Sequence, residues 1–185
     1  DGRCRRPATV EEAKALQVEA FSRVLKVCAT EGGRILSIHA VKSADTVLDL
    51  LERMHAIESC TCILHWFSGS SQELARAIKL GCRFSFGTRS LATRKGREYV
   101  KAVPIAQLLL ETDWPPAAGY EGSADEWIAD LRRAAEGVAA LRGEDALDLF
   151  RNLGEGGRVL DRENRLGDEE PHRTEVVRGQ AARRG

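Results

Sequence analysis

The sequence predicts an α/β fold in which four short parallel strands alternate with amphipathic helices. Three observations carry this expectation. Apolar runs begin at 35, 61, 83 and 108, a spacing close to one βα unit of about 25 residues. The runs ILSIHA (35–40), TCILHWF (61–67), RFSFG (83–87) and LLLET (108–112) are nearly continuous in apolar residues, as suits strands covered on both faces. Between them lie stretches of helical periodicity opened by capping residues. Alternating units of this kind give a parallel sheet, open or closed.

The helices follow in order. Thr9 with Glu12 forms a capping box, and Ala13, Leu16, Ala20, Val24 and Val27 make one apolar stripe that ends at Gly32-Gly33. Ser43 caps a helix carrying Val47, Leu50, Leu51 and Met54, on whose end His55 sits as a C-terminal capping group. Ser70 or Ser71 caps another with Leu74, Ala77 and Ile78, stopped by Gly81. Ser123 and Glu126 repeat the capping box before Trp127, Leu131, Ala134 and Val138. A short helix around Leu147, Leu149 and Phe150 closes a domain expected over residues 1–154. Residues 155–185 contain no aromatic side chain and mix Arg with Asp and Glu. They hold too little apolar surface to offset chain entropy and are expected to be a disordered tail, with His172 solvated.

The 185 residues suffice for one domain with its own core. With 28 basic and 28 acidic side chains, no global field draws the chain to nucleic acid or membrane, so any anion site must be local. No apolar run reaches the roughly 18 residues of a membrane span. The opening DGRCRRPATVEEAK has no apolar signal segment. A cytoplasmic protein is expected. Cys4, Cys28, Cys60, Cys62 and Cys82 are odd in number and scattered. Cys60 and Cys62 form a C-x-C that no second pair completes into a zinc knuckle, so the five read as reduced thiols.

Three polar residues stand where apolar runs end: His39 closes ILSIH, His65 closes TCILH and Asp113 closes LLLETD. On parallel strands all three project at one carboxyl-end rim, where barrel active sites are built. Two imidazoles and a carboxylate are ligand types for Zn²⁺, Mn²⁺ or a mixed site. The competing reading makes each a hydrogen-bonded structural residue. Glu111 shares the face of Asp113; a structural partnership with a backbone group or an Arg is the preferred reading, and support of a metal ligand the alternative.

The local motifs point further. HWFSGS (65–70) resembles the HCFSG segment of the TatD-family metal-dependent deoxyribonucleases, LLLETDWP (108–115) resembles their LLLETDxP, and ILSIHA followed by Asp45 and Leu48 resembles their IHxR…D.L. Order and spacing agree over roughly residues 1–152. HWFSG with GGRILSIH is similar to the branch found in anti-phage defence cassettes. The resemblance implies an amidohydrolase-type (β/α)₈ TIM-barrel hydrolase that cleaves DNA phosphodiesters with divalent metal ions, Mg, Mn or Zn, two in the intact family site. His39, His65 and Asp113 match the ligands of the fifth, sixth and eighth strands, and Asp113 would also orient or deprotonate the attacking water. The HxH of the first strand and the Glu of the fourth have no counterpart. Asp1-Gly2 matches the residues after the family's GExGLD, so the chain is expected to be the second half of the barrel, with four βα units. Asn152 matches the start of the terminal NxxRLF, and the LGEGGRVL after it departs from that pattern.

The segment TRSLATRKGR (88–97) carries Arg89, Arg94, Lys95 and Arg97 without an acid. It would follow the seventh barrel strand, where phosphate sites recur. Arg89, nearest the strand end, is the candidate phosphate ligand; a solvated helix start is the alternative. Trp66 could line a nucleotide, Phe67 is expected to pack on a helix, Gly69 to permit close approach, and Trp114-Pro115-Pro116 to stiffen the exit from Asp113. DNA is the expected partner, with self-association through exposed half-barrel edges and no membrane. Two other functions compete: a deaminase or amidase on the same barrel, which HxFSGS argues against, and a truncated, inactive remnant or interaction module.

Overall fold

The computed structural model describes residues 9–112, 122–149 and 151–153. Asp1, Gly2, Cys4, Asp113, Trp114, Pro115, Pro116, Phe150 and the 155–185 segment with His172 lie outside the described residues.

Helix α1 (Val10–Glu31) starts where Thr9 Oγ1 accepts the backbone N–H of Glu12 at 3.0 Å. It stops at Gly32, whose φ of 68° lies in the region open to glycine at little cost. Strand β1 (Ile35–His39) leads into α2 (Ala44–Arg53) and the single turn α3 (Ala56–Ser59). Strand β2 (Thr61–His65) precedes α4 (Ser71–Lys79), which begins with a two-way capping box between Ser70 and Glu73. After β3 (Arg83–Phe86) come α5 (Thr88–Leu91) and α6 (Arg94–Ala102). A 3₁₀ turn, Ile105–Gln107, feeds β4 (Leu108–Leu110). Helix α7 (Ala124–Arg142) opens with the expected Ser123–Glu126 box.

The strands lie in the order β1-β2-β3-β4, and every neighbouring pair is parallel. Each strand thus pairs with the next in sequence, the topology of consecutive βα units. Leu48, Leu50, Leu51, Leu64, Phe84, Phe86, Val100, Leu108 and Val138 are fully buried in one core. Each such side chain contributes about 1.5–3 kcal/mol through burial.

Three sequence expectations are corrected. The α1 stripe through Leu16, Val24 and Val27 faces outward; the helix instead buries Leu25 and packs Val18, Phe21 and Cys28 against the core. Ser43 sits at the α2 N-cap but makes no side-chain capping bond. His55 does stand at the end of α2 as expected: its backbone is left-handed (φ 55°), its N–H donates to the Glu52 carbonyl at 3.0 Å, and its Nδ1 lies 2.8 Å from Glu58 Oε1 of the next helix. Coverage of both sheet faces holds for β3, where Phe84, Ser85 and Phe86 are all buried. At the edge strand β1 it fails, since Ile35, Ser37 and His39 are exposed. Among the described residues, no helix is long and apolar enough to cross a membrane.

Candidate metal centre

His39 and His65 end adjacent strands and are direct partners in the β1–β2 register. Parallel pairing puts register partners on the same face of the sheet. Their imidazole centroids are 5.4 Å apart. His65 in turn pairs with Ser85 across β2–β3, so His39, His65 and Ser85 form a row across the sheet.

Glu111 closes this row from the far side. Its carboxylate contacts Nδ1 of His65 and accepts the Ser85 hydroxyl at the same oxygen. The reach is possible because the backbone pairing continues past β4: the Glu111 N–H donates to the Phe86 carbonyl at 3.1 Å. Gly87 makes room, since a Cβ there would stand 2.6 Å from the Glu111 carbonyl oxygen. Glu111 therefore supports a candidate ligand, and the preferred reading of it as partner to a backbone group or an Arg is corrected. A carboxylate on Nδ1–H fixes the tautomer and leaves the lone pair on Nε2, the usual outer-shell arrangement of a metal-bound histidine. Ser85 was missed from the sequence. The available signal was a hydroxyl in the otherwise apolar RFSFG run.

The segment after His65 is anchored from below. Phe67 packs edge-on to Phe84 with centroids 5.6 Å apart and meets Tyr99 of α6 at 5.9 Å. The Tyr99 hydroxyl donates to the Gly69 carbonyl at 2.7 Å. Trp66 projects differently. Its φ of 45° is rare for a residue with a Cβ and costs roughly 1–2 kcal/mol, a strain of the kind that clusters at functional sites. The Trp66 ring lies 6.2 Å from the His39 ring, and the Arg89 guanidinium carbon is 5.6 Å from the Trp66 centroid.

The basic segment divides among three tasks. Arg89 is carried by the one-turn α5 to Trp66. Arg97 donates to the Leu91 and Ala92 carbonyls at 2.9 and 3.2 Å, capping α5. Lys95 donates to the Ser68 carbonyl at 3.3 Å and lies 5.9 Å from the Tyr99 ring centroid. Thr88 donates to Asp130 of α7 at 3.2 Å and pins α5 in place.

The structure thus brings together two of the three expected ligands, His39 and His65, while Asp113 lies outside the described residues. Among the described residues, no group of three or more His, Cys, Asp or Glu side chains is arranged to hold a metal ion. Two imidazoles on rigid neighbouring strands, one oriented by a carboxylate, fit a borderline divalent ion. The cysteines lie elsewhere: Cys60, Cys62 and Cys82 are buried, and burial pushes the Cys62 and Cys82 thiols up to about 12. At that value they are inert thiols at neutral pH.

A parallel βα segment with paired imidazoles at its carboxyl rim is the architecture of barrel metal hydrolases. The sequence profile described as TatD related DNase matches residues 6–154. The chain belongs to the TatD family. It is similar to the "Uncharacterized metal-dependent hydrolase YabD" of Bacillus subtilis, with 30% identity over 152 residues, covering 75% of this chain and 59% of the relative. It is also similar to the "Deoxyribonuclease Tat-D" of Schizosaccharomyces pombe, 31% identical over 80 residues, covering 43% of this chain and 26% of the relative. Among solved structures, the crystal structure of YjjV, a TatD homologue from Escherichia coli K12, superposes with a TM-score of 0.67. That match has 25% identity and covers 82% of this chain and 59% of YjjV. The chain therefore spans 59% of the length of YabD, and its four βα units are a half of the TIM-barrel fold.

Proposed function

We propose that this chain supplies His39, His65 and Asp113 as ligands of a divalent metal centre in a hydrolase that cleaves DNA phosphodiester bonds. The observation that carries the proposal is the His39–His65 register pair with the Glu111 carboxylate seated on His65. A DNA substrate is supported by family membership and by the name of the fission-yeast relative. Mg²⁺, Mn²⁺ or Zn²⁺ at the site, two ions where the barrel is whole, would supply an acidified water and polarise the phosphate.

The chain's own groups do the remaining work. His39 and His65 bind through nitrogens held at fixed strand positions, and Glu111 keeps His65 in the ligating tautomer. Asp113 takes the proton of the attacking water at a carboxylate oxygen. Arg89 holds a phosphate oxygen through planar N–H donors.

Hydrolysis of DNA by the protein with its barrel complete tests this reading. Loss of a general base lowers turnover by about 10²–10⁴-fold, which is the decrease expected for Asp113→Asn, with His65→Ala also impaired. Full activity in both variants would overturn the assignment. Hydrolysis of an amide or aminopurine, with DNA left intact, would favour the deaminase or amidase reading.

A further inference from the structure

Trp66 links the two parts of the candidate site. Its ring meets His39 on one side of the rim and carries the Arg89 guanidinium, 5.6 Å from its centroid. Together with Gly87, Arg89, Glu111 and Thr112 it lines a small recess beside the His65–Glu111 pair. The backbone at Trp66, directly after a strand-end histidine, is left-handed (φ 45°).

An arginine at an exposed position on a one-turn helix has many rotamers of similar energy. An aromatic face narrows that choice, because guanidinium is weakly hydrated and attracted to the ring. Stacking engages the flat face of the guanidinium. Its N–H donors lie in the plane and keep the fork geometry that matches a phosphate. One arginine can therefore stack on Trp66 and bind an anion together.

We propose that Trp66 is a positioning residue for anion recognition: its ring holds the Arg89 guanidinium beside the His39–His65 pair, where a phosphodiester phosphate of the substrate is bound. The proposal rests on the reading of Arg89 as a phosphate contact and adds the residue that orients it. The ligand class is a phosphodiester of single-stranded nucleic acid or any strand end that reaches the rim.

The test is the salt dependence of binding to an eight-residue oligothymidylate, followed by fluorescence anisotropy on the full chain with divalent ions chelated. One phosphate contact contributes about 0.7 to the slope of log affinity against log salt for a single strand. Arg89→Ala and Trp66→Leu should each flatten the slope by about that amount and weaken binding severalfold, on the order of 3- to 10-fold. The double variant should be no weaker than Arg89→Ala, and Trp66→Phe should keep the parental slope. A flattened slope in Arg89→Ala with an unchanged one in Trp66→Leu overturns the positioning role and leaves the phosphate contact standing. Weaker binding by Trp66→Leu at unchanged slope also overturns it, because the ring would then touch a base directly. An unchanged slope in Arg89→Ala, or no binding by the parent, defeats the phosphate reading and the positioning role together. Should Trp66→Leu fail to fold, the stack is read from the other side in a chain carrying Trp114→Phe and Trp127→Phe. There Arg89→Ala should raise acrylamide quenching of Trp66, and unchanged quenching overturns the proposal.

Discussion

The Glu111 carboxylate, just past β4, contacts Nδ1 of His65 at the end of β2 although β3 runs between those two strands. The contact crosses over Ser85, whose hydroxyl donates to the same carboxylate oxygen. Carboxylates in this relation to a metal-bound histidine set ligand basicity and orientation, and their loss typically weakens metal affinity about 10- to 100-fold. Glu111→Gln is expected to lower Zn²⁺ affinity within that range in a competition titration. Unchanged affinity would give Glu111 a purely structural role.

At Gly87 the chain leaving β3 lies close against Glu111, just past β4. A Cβ there would meet the Glu111 carbonyl oxygen, a backbone atom that cannot swing aside as a side chain can. Gly87→Ala should therefore destabilise the fold by about 1–3 kcal/mol and displace Glu111 from His65. Urea unfolding reads the first effect and metal titration the second. A variant as stable as the parent would contradict the close approach.

The α4 capping box gives a pH signature. The Ser70 backbone N–H donates to the Glu73 carboxylate, and with the Ser70 side chain it holds the Glu73 carboxyl below the ordinary range. A depressed folded value means the stabilisation is present above the unfolded carboxyl value of about 4.3 and fades as pH falls through the folded one. Ser70→Ala should cost about 1 kcal/mol at pH 7. The penalty of Glu73→Ala should shrink as pH falls below about 5. A penalty that stays constant to pH 3 in denaturant titrations would contradict the charge contribution.

Self-association should follow from surfaces that the sheet leaves uncovered. Leu16, Val24 and Val27 on α1 are 47%, 50% and 56% exposed, and Ile35 on the edge strand is 43% exposed. Apolar surface of this kind beside an unpaired strand edge favours association. Light scattering on freshly purified chain at micromolar concentration should give oligomers, and Leu16→Glu with Val24→Glu should shift them toward monomer. A monodisperse parent that unfolds cooperatively would contradict this expectation.

Strand positions were legible because each apolar run is short and nearly continuous, and the His39–His65 pairing because both of their runs end on a histidine. The buried face of α1 was not. Its sequence carries two apolar stripes, and only packing selects Val18, Phe21 and Leu25 over Leu16, Val24 and Val27. The partner of Glu111 was also hidden, because its reach to His65 depends on backbone pairing beyond β4 and on the space left at Gly87. Arg89 stood out among four basic residues by its place next to the strand end. Its place over the Trp66 ring, and the positive φ of Trp66, are announced by no pattern in HWFSGS.

The central claim is that His39, His65 and Asp113 hold a divalent ion, and calorimetric titration with Zn²⁺ or Mn²⁺ tests it most directly. The parent chain should bind, and His39→Ala, His65→Ala and Asp113→Ala should each weaken binding by at least about tenfold, since each removes one bond from a small ligand set. Identical affinity in the parent and all three variants would contradict the claim.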